Sequence, residues 1–146
     1  MKGQEFLRAY QEAFAQLRAE VEAFPSDESL WLEHHGISNA AGTLVLHLVG
    51  NTRWFIGSVL GTTGYVRDRP QEFSERHLSR EEVLRRLQEA ERDVVETLQH
   101  LSDGEINNTY PLDTFGVRST ANVLVHLLRH FAYHVGQLNY YRRMSS

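Results

Sequence analysis

Apolar residues recur every third or fourth position in four separate stretches of this chain, each bounded by residues that break helices. That period matches the α-helical turn rather than the alternation of a strand, so an all-α fold is predicted. The first stretch runs from Glu5 to Phe24 through Phe6, Leu7, Tyr10, Phe14, Leu17 and Val21, and Pro25-Ser26-Asp27-Glu28 ends it. The second starts after Ser38 or Asn39 as N-cap and continues to about Leu60. It is apolar on more than one face, which places it centrally in a bundle or at a subunit interface. The third, Arg80 to Leu101, opens on Ser79 and Glu82 at capping-box spacing and carries one apolar stripe, as a solvated outer helix does. The fourth is capped by Ser119 or Thr120 and ends near Tyr141.

Four such helices in 146 residues predict one domain, residues 1–146, folded as an antiparallel four-helix bundle. The connections carry further expectations. Leu30-Trp31-Leu32 is predicted to plug one bundle end, and His34-His35-Gly36 to form an exposed turn. Gly61-Thr62-Thr63-Gly64 breaks the second helix. A long charged loop, Tyr65 to Ser74, follows, in which Arg67, Asp68, Arg69 and Glu72 are expected to pair as a structural network holding the loop against one bundle end. Asp103-Gly104 is expected to close the third helix, and Asn108–Leu112 with Phe115–Arg118 to form a short hairpin before the fourth.

The chemistry is concentrated in the last helix, where His126, His130 and His134 recur every fourth residue. Residues four apart lie on one helix face about 6 Å apart along the axis, so an adjacent pair can chelate one ion, whereas the two ends, about 12 Å apart, cannot. The spacing leaves 126/130 and 130/134 equally open, and a further ligand must come from elsewhere. His47 lies in the most apolar part of the second helix, where an unpaired imidazole is costly. Asn51 lies one turn later on the same face, as a partner that could orient a ligand. Thr43–Leu48 is echoed by Asn122–Leu127 at an offset of 79 positions, which would set His47 and His126 at matching places on neighbouring helices. With no cysteine, thiolate sites, disulfides and a cysteine nucleophile are excluded. The net charge of −4 and the absence of a basic stripe argue against nucleic acid, and no stretch is apolar enough to span a membrane. The first residues lack the apolar run of a signal peptide, so a cytoplasmic location is expected.

Three motifs, His47-Leu48-Val49-Gly50-Asn51-Thr52-Arg53, Arg67-Asp68-Arg69-Pro70-Gln71-Glu72-Phe73 and His130-Phe131-Ala132-Tyr133-His134-Val135-Gly136-Gln137, occur in this order. Together, over residues 38 to 140, they resemble the DinB-like (YfiT-like) metalloenzymes, and within them the DUF1572 branch. The resemblance implies a four-helix bundle, often a homodimer, that holds a divalent metal, nickel or zinc, through His47, His130 and His134. It thus selects the 130/134 pair and leaves His126 as a neighbour. It also implies chemistry with a low-molecular-weight thiol on a small-molecule substrate. Three neutral histidines leave a metal its full 2+ charge and an open position, suited to drawing a thiol or water toward its anion.

These readings lead to a divalent-metal-dependent enzyme performing thiol transfer or hydrolysis, with a non-catalytic metal-binding bundle as the alternative. Tyr133, Tyr140, Gln137 and Asn51 are candidate hydrogen-bond donors toward a substrate. No residue is singled out as a catalytic acid, base or nucleophile.

Overall fold

The computed structural model describes residues 2–145, so the two outermost residues of the predicted domain, Met1 and Ser146, lie outside the described residues. Six helices are present and, among the described residues, no strand. They are α1 (Gly3–Glu22), α2 (Ala41–Thr52), α3 (Arg69–Ser74), α4 (Arg80–His100), α5 (Asp103–Asn107) and α6 (Thr120–Met144). A 3-10 turn, Glu28–Trp31, precedes α2, and a π-helical turn, Arg53–Ser58, continues it.

The four long helices make the predicted all-α bundle, packed in a ring in the order α1, α4, α2, α6. Each has one antiparallel neighbour. The Gly3 amide donates to Asp103 just beyond α4 (2.9 Å), and Arg80 at the start of α4 donates to the Phe24 carbonyl beyond the end of α1. His47 faces His130 and His134, while Phe55 reaches His126 through Phe115, so α2 and α6 are also antiparallel. The other two neighbouring pairs run parallel. Tyr10 donates to the Leu124 carbonyl (2.7 Å) and Asn139 to Glu20 (2.8 Å), while Arg53 bonds Asp93 (2.8 Å) and Gly61 approaches Thr97.

A parallel α2 and α4 require the chain between them to return along the length of the bundle. Residues 59–79 make that return, lying against α2. Ser58 donates to the Tyr65 carbonyl (2.6 Å), Arg53 stacks on Tyr65 (4.2 Å), Phe73 packs on His47 (5.1 Å), and Trp31 donates to the Leu78 carbonyl (2.9 Å). Glu75 fixes the strap to α4 through both nitrogens of a bidentate Arg86 contact (2.7 and 2.9 Å).

The core lies where the periodicity put it, with Phe6, Tyr10, Phe14, Leu17, Leu48, Ile56, Leu87 and Leu124 fully buried. Every residue of α2 is buried, as its all-round apolarity requires. Leu30 and Trp31 form the expected plug, whereas Leu32 is exposed and takes no part in it, and the Trp31 ring takes the space a side chain at Gly42 would need.

Several boundaries differ from expectation. The N-cap position of α2 is Ala40, without a side-chain cap, rather than Ser38 or Asn39. The loop from Tyr65 contains α3, started by Asp68 accepting from the Gln71 amide and by Pro70 in its first turn. Six residues are too few to show a period. Ser79 caps α4, but Glu82 turns its carboxylate to Arg85 and Arg86, leaving the capping box half made. Asp103-Gly104 does not close α4. It opens α5, which Ser102 and Glu105 cap reciprocally. The hairpin reduces to one antiparallel bridge, Thr109 with Ser119, flanked by Tyr110 N–H to Arg118 (2.9 Å) and Thr120 N–H to Asn108 (2.8 Å). Pro111, which has no amide hydrogen, and Phe115, drawn onto Phe55 (4.8 Å), keep the ladder from extending. α6 continues past Tyr141 to Met144.

Candidate metal centre

Three imidazoles meet where the buried middle of α2 crosses α6. Nε2 of His130 lies 3.1 Å from Nε2 of His47 and 3.1 Å from Nε2 of His134, and all three nitrogens fall within 4.8 Å of one another. His130 and His134 are one turn apart on α6, and the antiparallel register brings that pair, not 126/130, opposite His47.

The proton positions follow from the outer partners. Nδ1 of His47 lies 3.2 Å from Oε1 of Glu72, a carboxylate that can only accept, and 3.4 Å from Nη2 of Arg67, which gives its proton to Glu72 at the shorter 2.9 Å. Nδ1–H of His47 therefore donates to Glu72, and Nδ1 of His134 donates to Oε1 of Gln137 (2.6 Å). A neutral imidazole carries one N–H, so in both rings Nε2 presents a lone pair. Both lone pairs aim at Nε2 of His130, which has at most one proton to give. A cation between the three nitrogens resolves what one proton cannot. Tetrahedral coordination with bonds of about 2.0–2.1 Å sets ligand nitrogens about 3.3 Å apart, close to the two 3.1 Å separations from His130. The residues therefore fit a divalent ion.

Burial pushes the His130 pKa down to about 4, helped by the neighbouring His134 and His47. His134 is also lowered by burial, partly offset by its bond to Gln137. Both rings are neutral near pH 7, the form that binds metal. Glu72 is buried beneath His47, and Arg67 grips it with Nε on Oε2 (2.8 Å) and Nη2 on Oε1 (2.9 Å). Burial alone would raise its pKa, but the bonds from His47 and Arg67 outweigh that and hold the carboxyl below the ordinary range. The anion thus persists and polarises the His47 ring.

The other sequence candidates are dispersed around this cluster. His126 stays apart, its ring on Phe115 (4.7 Å), because antiparallel helices do not bring echoed positions face to face. Asn51 is buried one turn beyond His47, and its Oδ1 has no protein partner. The same holds for the buried Nδ1 of His130. Tyr133 is exposed, with its ring 5.4 Å from that of His134, and Tyr140 is exposed as well. His34 bonds Ser145 (2.8 Å), away from the cluster.

Glu72 is the residue that sequence reasoning left out of the site. Only Arg67 and Glu72 of the expected loop network pair with each other. Asp68 caps α3, and Arg69 lies over Phe73 (5.1 Å). Gly50 was the available signal, a glycine inside an apolar helix, where it commonly marks a close approach.

The sequence profile of the family described as protein of unknown function (DUF1572) matches residues 1–146, and the chain belongs to that family. Its fold is similar to the crystal structure of a DinB-like protein from Bacillus cereus ATCC 10987, with a TM-score of 0.79 over 97% of this chain and 91% of that one. At 19% identity the likeness is one of fold. No curated protein matches the sequence.

Proposed function

We propose that this protein binds one zinc or nickel ion through Nε2 of His47, His130 and His134 and uses it on a small molecule, by thiol transfer or by hydrolysis. The observation that carries the reading is the convergence of three imidazole nitrogens, with Nε2 of His130 3.1 Å from Nε2 of both His47 and His134. Three neutral protein ligands leave room for a further one, and a divalent ion held this way supplies Lewis acidity that draws a thiol or a water toward its anion.

The chain's own residues supply orientation. Glu72, fixed by Arg67, sets the His47 ring, and Gln137 sets His134. Asn51 is buried one turn after His47, and in this reading its unpaired Oδ1 serves Nδ1–H of His130 directly or through a water. Tyr133 and Tyr140 border the open side toward the substrate. The homodimer implied by the resemblance belongs to this reading, with its contact on a face that leaves the open side accessible. No described helix is long and apolar enough to cross a membrane. A cytoplasmic setting belongs to this reading as a proposal.

The test is metal analysis of protein purified without chelator, joined to anomalous scattering at the zinc and nickel edges, then turnover assays with thiols and esters. One ion per chain at the three Nε2 atoms, with thiol- or ester-dependent turnover, is expected. An ion without turnover would favour the non-catalytic alternative, and no ion would refute the reading.

A further inference from the structure

His134 forms part of the wall of a groove of about 720 Å³ between residues 36–39 and the second half of α6, which sets the groove beside the histidine cluster. This volume suits a small ligand. The lining includes Ile37, Leu44, Tyr133, Tyr140 and Met144, and no Asp, Glu, Lys or Arg. Arg143 lies over the Tyr140 ring (5.3 Å) but outside the lining. Four of these side chains, Ile37, Tyr133, Tyr140 and Met144, are exposed, so folding alone leaves their apolar surface wet.

Gly136, also in the lining, is a second feature of the groove that packing does not explain. It sits inside α6 between His134 and Gln137, where glycine costs about 1 kcal/mol relative to alanine. No close packing requires it, since a Cβ at Gly136 would meet nothing within 4 Å. Its smallness keeps the groove floor open beside a proposed metal ligand.

We infer that the groove receives the uncharged aromatic or branched apolar body of a ligand whose single metal-binding head, a thiolate or similar anion, reaches the histidine site. This rests on the metal-binding reading above and adds the substrate class. A carrier bearing several carboxylates would find no cation along this lining, whereas a ring can stack on Tyr133 or Tyr140.

The experiment uses cobalt-loaded protein, in which thiolate binding gives a charge-transfer band, and two thiols of similar acidity, benzyl mercaptan and 2-mercaptoethanol. Benzyl mercaptan is expected to bind about tenfold or more tightly, from burial of its ring. The Gly136→Leu variant, whose Cβ has open space around it and whose side chain takes up part of the groove, is expected to keep its cobalt and lose that preference. Mercaptosuccinate is expected to bind no better than 2-mercaptoethanol. Equal affinities for the first two thiols, or a preference that survives Gly136→Leu, would overturn this inference alone. A wild-type dimer that Gly136→Leu dissociates in sedimentation would also overturn it, by assigning the groove to a second copy of the chain. Failure to take up cobalt would bring down the metal-binding reading, and this inference with it.

Discussion

The carboxylate of Glu72 occupies the space that a side chain on Gly50 would fill. A Cβ at Gly50 would lie 1.8 Å from Oε2 and 2.5 Å from the carboxyl carbon. The return strap can therefore press a buried acid against α2 one turn from His47 only because residue 50 is glycine. Gly50→Ala should expel Glu72, lowering zinc affinity about 10–100-fold through the misoriented His47. Overpacking should also cost about 1–3 kcal/mol of stability. Chelator competition and urea unfolding measure the two effects. Glu72→Gln keeps an acceptor for His47 but loses the charge that Arg67 grips, so its affinity loss should be smaller. Undiminished zinc affinity in Gly50→Ala would show that Glu72 does not govern the site.

The α2–α6 register divides the histidine row into unequal parts. His130→Ala and His134→Ala each remove a converging nitrogen and should abolish stoichiometric zinc retention after gel filtration. His126 touches Phe115 instead, so His126→Ala should keep full metal content and lose about 1 kcal/mol or less of stability, as a half-exposed packing contact does. Metal retained by His134→Ala but lost by His126→Ala would reassign the ligand pair.

What could be read in advance divides along the same lines. Each long helix announced itself because its buried stripe is local information. Tyr10, Phe14, Leu17 and Val21 lie on one face whatever they meet. His130 and His134 are likewise legible as a pair one turn apart. Choosing between 126/130 and 130/134 needed the register of α6 against α2, a long-range property that spacing does not hold and that only the family resemblance supplied. Glu72 was hardest to foresee. It is 25 residues from His47 and arrives there because α2 and α4 run parallel and force the chain back along the bundle. Charge alternation in that segment looked the same whether its acid faced solvent or an imidazole. The short helices α3 and α5 escaped because a turn or two carries caps but no measurable period.

Acid should weaken the metal-free protein in a definite window. His130 has its folded pKa near 4 against an ordinary 6.5, so between those values the unfolded chain binds a proton that the folded chain refuses. Stability is therefore lost as pH falls from about 6.5 toward 4, and His134, shifted in the same direction, adds to the loss. Glu72, lowered from 4.5, extends the decline further, because its paired carboxylate is favoured only while ionised. The urea midpoint of stripped protein should fall continuously from about pH 7 to 4, with zinc raising it most at the neutral end, where protons do not compete for the imidazoles. A midpoint that stayed flat or rose on acidification would contradict this picture of buried neutral rings.

Asn51 gives a prediction in which two properties move in opposite directions. Its Oδ1 and Nδ1 of His130 are both buried without a protein partner, one an acceptor and the other, when Nε2 ligates, a donor. Asn51 lies one turn beyond His47 on α2, which packs against α6, and a bound water joining the two atoms is the arrangement this prediction tests. Leucine has nearly the same shape and no polar group to desolvate. Asn51→Leu should therefore stabilise the metal-free protein by about 1 kcal/mol, since a buried amide without a full set of partners is lost. The same change should weaken zinc about tenfold or more, because His130 loses the acceptor that fixes its ring and tautomer. Thermal unfolding without metal and chelator competition with it read the two effects separately. If stability rose while zinc affinity stayed unchanged, Asn51 would be only a buried amide and the orientation of His130 would be set by packing alone.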